Sequence, residues 1–266
     1  YSGFWILYFQ NFGSVLWYLR DFIDKAPVDA AMASLLGALG VNWTFKFDAE
    51  HVTVINAGTI ILLQVLVSRI VKNKPALPTM VTGMAIGAVG FLLLAASRSP
   101  WVFILGIAVF SIGEMTAHPK YYSFVGLVAP ADRKAVYMGY AFLYGVFGSL
   151  LGSNLGAYLY ARMLKPLIGQ AGSEPATRLF WLLFAGLDVV AFIGLIVFAR
   201  KFGTDTPETR RAARSAMMGV SWVLLVVGLA FCYVALTADP VQYKTAVQSI
   251  IFLALGAGGL VMNRRK

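Results

Sequence analysis

Glu114, His118 and Tyr121 stand at i, i+4 and i+7 in a long apolar run, so on a helix the three share one face. A charged group at the centre of a bilayer costs about 2.5–3.5 kcal/mol even on the gentler scale, so such a group marks function first. The chemistry expected of this face is proton carriage by Glu114, or contact with a cationic group of a substrate, with His118 as its titrating neighbour. The plainer alternative is a Glu–His pair that locks one helix to the next. Pro119 removes the backbone bond to the carbonyl of Met115 and should bend the helix beside the carboxylate. A bend there lets polar groups reach a cavity. Lys120 points about 120° away from Glu114 and has a stem long enough to snorkel to the membrane surface.

Weaker candidates lie on other segments. Asp188 sits in the middle of an apolar run near Gly186, and the cost of an unpaired carboxylate there predicts a hydroxyl, amide or basic partner on a neighbouring span. Asn56, Gln10, Asn11 and Ser14 have the amides and hydroxyls to bind a substrate or to bond another helix. Arg20, Asp21 and Asp24 cluster at one end of the first apolar run. They read either as an exposed surface pair or as a gate salt bridge.

These residues need helices in lipid to hold them. Of 266 residues, 59% are apolar and only 13% are charged, and the mean hydropathy is +0.74. Soluble domains run near 45–50% apolar and 25% charged. That excess excludes a disordered, collagenous or nucleic-acid-binding chain and leaves little room for a soluble enzyme. One span takes about 20 residues, so the apolar content could furnish about eight. The runs fall at 3–23, 51–71, 79–97, 101–122, 135–161, 179–199, 216–237 and 245–262, numbered here as spans 1 to 8. The partners expected for Asp188 lie on spans 4 and 5. The stretch 24–50 reads as an ordered interfacial loop with a short helix, because its apolar patch of about 12 residues is too short to cross.

The net charge of +10 sits in short runs between apolar segments, as membrane proteins carry it. With span 1 running outward, 13 Lys and Arg fall on the inner side, Arg69, Lys72, Lys74, Arg133 and Arg210 among them. Eight fall outside, and Lys120 lies within a span. The bias predicts both ends in the cytoplasm. Gly83 with Gly87, and Gly148, Gly152 and Gly156, repeat at i, i+4, the spacing that lets helix backbones approach in lipid. Span 5 could also slide or rock on its glycines. The single Cys232 has no disulfide partner. No cleavable signal is evident, and an opening at Tyr1 directly into an apolar run reads as a piece of a longer protein.

Four stretches carry a resemblance. Span 1 reads Phe4-Trp5 through Phe9-Gln10 to Gly13-Ser14, and span 2 opens His51-Val52-Thr53-Val54-Ile55-Asn56. Span 4 has Gly113-Glu114, then Pro119 and Ala129-Pro130, and span 5 has Met138-Gly139. In order and spacing, residues 1–200 resemble the C-terminal half of a major facilitator superfamily transporter, and more narrowly the proton-coupled oligopeptide transporter family.

The resemblance implies an all-α integral membrane fold. A six-helix bundle would span 1–200, followed by a basic cytoplasmic linker over 201–215 and a peripheral two-helix hairpin over 216–266. It implies that Glu114 handles the amino terminus of a peptide and that Asn56 is a peptide-contacting amide. His118, Tyr121, Gln10, Asn11 and Ser14 would complete a substrate and proton site. The partners implied are a small solute or peptide, protons, the lipid bilayer and an N-terminal bundle outside this sequence. The location implied is the bacterial inner membrane.

Two other readings stay open: a facilitator for a drug, sugar or lipid, and a non-transporting membrane subunit that uses Glu114 and Asp188 to bind another helix. No enzyme and no cofactor are expected. His51 and His118 are the only histidines, with no Cys/His metal spacing and no Ser/His/Asp arrangement.

Overall fold

The computed structural model describes residues 1–202, 207–237 and 243–264, and among them every regular element is helical. Seven stretches are long and apolar enough to cross a membrane. They are Glu50–Val71, Ala76–Ala96, Pro100–Val128, Lys134–Leu167, Glu174–Lys201, Met217–Thr237 and Tyr243–Val261. The protein is an all-α membrane protein. It forms two compact units, Tyr1–Val197 and Phe198–Lys266.

Of the eight spans expected, span 1 is the one not among these seven stretches. It folds as two short helices, α1 (Ser2–Tyr8) and α2 (Ser14–Phe22), joined by a tight turn over Phe9–Phe12. Gly13 leaves helical geometry at φ −150° and ψ −93°. The cause is tertiary. The Gln10 side chain donates back to the Ile6 carbonyl at 2.8 Å and across to the Gly152 carbonyl at 2.9 Å, in competition with the helical ladder. Irregular backbone at membrane depth survives where protein surrounds it, and Gln10 and Asn11 are both buried.

The 24–50 stretch holds the expected short helix, α3 (Ala26–Ala38), with Pro27 in its first turn. The Asp24 carboxylate accepts from the Ala26 N–H at its start, and Asp29 accepts from Phe47 N–H to tie the following segment back. Then come α4 (Glu50–Val71), α5 (Ala76–Ala96) and α6 (Pro100–Val128), which runs on through Pro119. Span 5 is interrupted as well. Its helices are α7 (Lys134–Ala141) and α8 (Leu143–Leu159), followed by a wide turn over Tyr160–Leu164. The last three helices are α9 (Glu174–Phe202), α10 (Pro207–Thr237) and α11 (Tyr243–Arg264). The expected linker 201–215 is therefore helical over much of its length, since Phe202 closes α9 and α10 already begins at Pro207. Residues 203–206 lie outside the described residues.

With lipid as apolar as leucine, helices in a membrane associate through close packing. The glycines supply it. A Cβ on Gly83 would lie 2.6 Å from the Ala117 nitrogen and 2.7 Å from the Gly113 carbonyl, and one on Gly113 would lie 2.6 Å from Gly83 O and Gly87 N. Thus α5 and α6 touch backbone to backbone. On α8, Gly148, Gly152 and Gly156 receive Trp5, Ile6 and the side chains of Gln10 and Ser14. A large aromatic core fills the remaining space, with Phe4, Phe91, Phe103, Phe110, Phe180, Trp181 and Phe184 all buried. In the second unit α10 and α11 pack along each other. Gly228 meets Leu253, Gly256 meets Leu225, and Ser249 Oγ donates to the Gly228 carbonyl at 2.9 Å.

Gly113→Ala should lower stability by about 1–3 kcal/mol, because the new methyl has backbone on both sides and neither helix can yield locally. Gly145→Ala, with nothing within 4 Å of the added carbon, should leave stability unchanged. Thermal unfolding of the two purified variants in one detergent compares them. Equal midpoints would mean that the α5–α6 contact is looser than the glycines imply.

Candidate functional site

Asn56 on α4 reaches across to α6. Its amide donates to Ser111 Oγ at 2.8 Å and to Glu114 Oε2 at 3.3 Å, while Ser111 donates to the Ile107 carbonyl. Ser111 and Glu114 are i, i+3 on one face, so a single amide clamps both. The structure thus joins two residues that the sequence singled out separately, and it adds Ser111. Glu114 is half-buried, and the phenols of Tyr1 and Tyr8 lie within electrostatic reach of its carboxylate.

His118 does not hydrogen-bond Glu114, although the two are one turn apart. Its Nδ1 meets the Tyr1 hydroxyl at 3.2 Å, and its ring packs among Trp5, Tyr122 and Tyr144. The third residue of the face, Tyr121, donates to the Ala141 carbonyl at 2.8 Å, where span 5 is interrupted. Its ring stacks on Tyr1 with centroids 4.5 Å apart, and Tyr144 stands edge-on to Tyr121 at 5.1 Å. Trp5 and Tyr144 lie 4.6 Å apart, and the hydroxyls of Tyr122 and Tyr144 are 2.9 Å apart. One turn along the face from Glu114 there is therefore a cluster of aromatic rings from α1, α6 and α8. A carboxylate next to aromatic faces is the chemistry that holds an ammonium group. Tyr1, Trp5 and Tyr144 were not singled out from sequence. The aromatic richness of spans 1 and 5 was visible there, but not the convergence of the three elements.

Gln10 and Ser14 form a lock. Ser14 Oγ donates to Gln10 Oε1 at 2.8 Å, and both side chains press on Gly156. Their hydrogen bonds are spent on holding α1 and α2 to α8. Asn11, expected with them at the site, is buried, and neither its amide nitrogen nor its oxygen has a hydrogen-bond partner.

Asp188 corrects an expectation. It is fully buried, and neither carboxylate oxygen is hydrogen-bonded. It extends the face of Phe180, Trp181 and Phe184 into the core and lies against Gly87. The polar groups expected to satisfy it are engaged elsewhere. On span 4, Ser111 and Thr116 bond back to their own helix. On span 5, Ser149 and Asn154 do the same.

Lys120 sends its side chain to the loop that follows α4, the end of that helix which the Lys and Arg bias puts at the cytoplasmic surface. It is buried, and its Nζ donates to the carbonyls of Lys72 and Lys74 at 3.1 and 2.7 Å, where the ammonium offsets the negative end of α4. Arg20 and Asp21 pair bidentately at 2.7 and 2.8 Å, with Tyr160 donating to Asp21. Because the ion pair joins adjacent residues of α2, it does not bridge two helices by itself. The tie between elements is the one through Tyr160. Asp24 starts α3, as described above. No group of three or more His, Cys, Asp or Glu that could hold a metal occurs among the described residues.

In comparison with known proteins, no family model matches the chain, and no curated protein and no solved structure is detectably similar to it.

Proposed function

We propose that this chain is the substrate-binding half of a secondary transporter of the bacterial inner membrane. It would take up a small peptide, or another solute with an amino group, together with protons. The observation that supports this best is the pairing of a half-buried carboxylate, Glu114 held by Asn56, with the aromatic cluster of Tyr1, Trp5, Tyr121 and Tyr144. Glu114 binds the ammonium group, and the rings exclude water and add cation–π attraction. His118, with its ring nitrogen on Tyr1, is the second titratable group for proton traffic. The interrupted span 1 is consistent with this reading, since broken helices line the midplane sites of transporters. A second helix bundle would complete the path, because alternating access needs two halves that rock about the site. Bond-making chemistry has no place in the mechanism.

The test is uptake of a labelled dipeptide into proteoliposomes holding the full protein, with and without an inward proton gradient. Gradient-driven accumulation that disappears in Glu114→Gln is the expected result. Accumulation of a sugar or a drug instead would favour a facilitator of another class, and no transport of any solute would favour a subunit that binds other helices.

A further inference from the structure

A cleft of about 530 Å³ opens between α4 and α6, away from the Glu114 cluster. Val71 and Lys120 lie buried at its base, Pro119 flanks them, and Val65, Arg69 and Lys72 stand exposed at its edge. The ammonium of Lys120 is already committed to the C-terminal carbonyls around Lys72 and Lys74, so the helix end is neutralised from within. That leaves the charges of Arg69 and Lys72 uncompensated. No acidic residue occurs in the sequence between Glu50 and Glu114, and among the described residues neither cation forms an ion pair. From this basic edge an apolar track runs along α4 toward mid-membrane. Ile61, Leu62 and Val65 are 77%, 80% and 63% exposed. The Lys and Arg bias places this end of α4 at the cytoplasmic surface, where the leaflet carries anionic lipids.

We propose that the cleft is a binding site for an anionic phospholipid of the cytoplasmic leaflet. Its phosphate sits on Arg69 and Lys72, and one acyl chain lies along Ile61, Leu62 and Val65. Arg69 offers a guanidinium fork that matches phosphate oxygens, and Lys72 adds a second charge one turn-end away. The exposed aliphatic side chains give the tail a surface continuous with the headgroup site. A free phosphate would have no use for that track. The site does not depend on the transport reading, since none of these side chains belongs to the Glu114 cluster.

The experiment uses the full chain, purified from vesicles of phosphatidylcholine containing phosphatidylglycerol as the minor lipid. Native mass spectrometry then counts the lipids retained. The wild type is expected to retain phosphatidylglycerol in preference to phosphatidylcholine. In the double variant Arg69→Gln, Lys72→Gln that retention should fall about tenfold or more, each surface cation being worth roughly fivefold in affinity. Ser123→Glu sets a carboxylate into the same cleft from α6 and should give the same loss, which covers failure of the double variant to fold. Arg162→Gln with Lys165→Gln, outside the cleft, should retain lipid as the wild type does. Four results would each overturn the site. They are equal retention of the two lipids, full retention by the cleft variants, equal loss in the Arg162/Lys165 control, and displacement of phosphatidylglycerol by inorganic phosphate.

Discussion

Glu114→Gln should weaken binding of a dipeptide by about 30-fold to a few thousand-fold. The variant keeps the shape of the side chain and a hydrogen-bonding group opposite Asn56, so folding should survive. What disappears is the negative charge that Asn56 holds beside the aromatic cluster. Removing one partner of a desolvated charge pair costs about 2–5 kcal/mol, and each 1.4 kcal/mol is about tenfold in affinity. Asn56→Ala should act in the same direction but more weakly. It leaves the charge in place and removes only the donor that aims it, 3.3 Å from Glu114 Oε2, along with the bond to Ser111. Calorimetric titration of the full protein with a dipeptide and with its N-acetylated form separates the contributions. The acetylated peptide lacks an ammonium group and should bind wild type and Glu114→Gln alike. If both forms lose affinity equally in the variant, Glu114 supports the site without touching the amine, and the assignment of the ammonium to this carboxylate falls.

Much of this arrangement could be read from sequence because lipid imposes simple rules. An apolar run of about 20 residues has few fates other than a spanning helix, and spans 2 to 8 all form helical stretches long enough to cross, span 5 with an interruption. Glycines at i, i+4 on spans 3 and 5 were expected to be contact points, and they are. Glu114 and Asn56 were singled out because polar groups are costly in hydrocarbon, and the same cost explains why they pair. What failed to show was anything decided by a partner far along the chain. The local part of the break in span 1, Gln10 bonding back to Ile6, does not show by itself in the sequence. Its other part is Gln10 bonding Gly152, more than 140 residues away, in the room that glycines on α8 leave for it. Lys120 was expected to snorkel, but the acceptors on which it ends, two carbonyls that close another helix, could not be read from its own segment. The aromatic cluster draws on residues 1, 5, 121 and 144, and no pattern within one helix joins them.

Asp188→Val should raise the stability of the protein by about 1–3 kcal/mol, the range for removing a buried polar group that has no hydrogen-bond partner. The carboxylate is fully enclosed and unbonded, and the wall beside it is Gly87 on a helix with no ionisable residue from Ala76 to Ala96. Valine is close in size and keeps the contact with that wall, so little cavity forms. Asp188→Asn tests the cause. The amide removes the charge yet stays polar and unbonded, so it should recover only part of the gain. Thermal unfolding of the purified full protein would order the three, with Val above Asn and Asn above wild type by a few degrees in Tm. The reverse order, with valine least stable and asparagine close to wild type, would show that Asp188 holds a polar partner in the membrane. In that case the carboxylate is a binding group. Because a buried carboxylate can also serve transport, the uptake assay belongs beside the melting curves. A variant that is more stable but no longer accumulates substrate against the gradient would place Asp188 in the transport cycle, and one that is more stable and fully active would leave it a tolerated defect of packing.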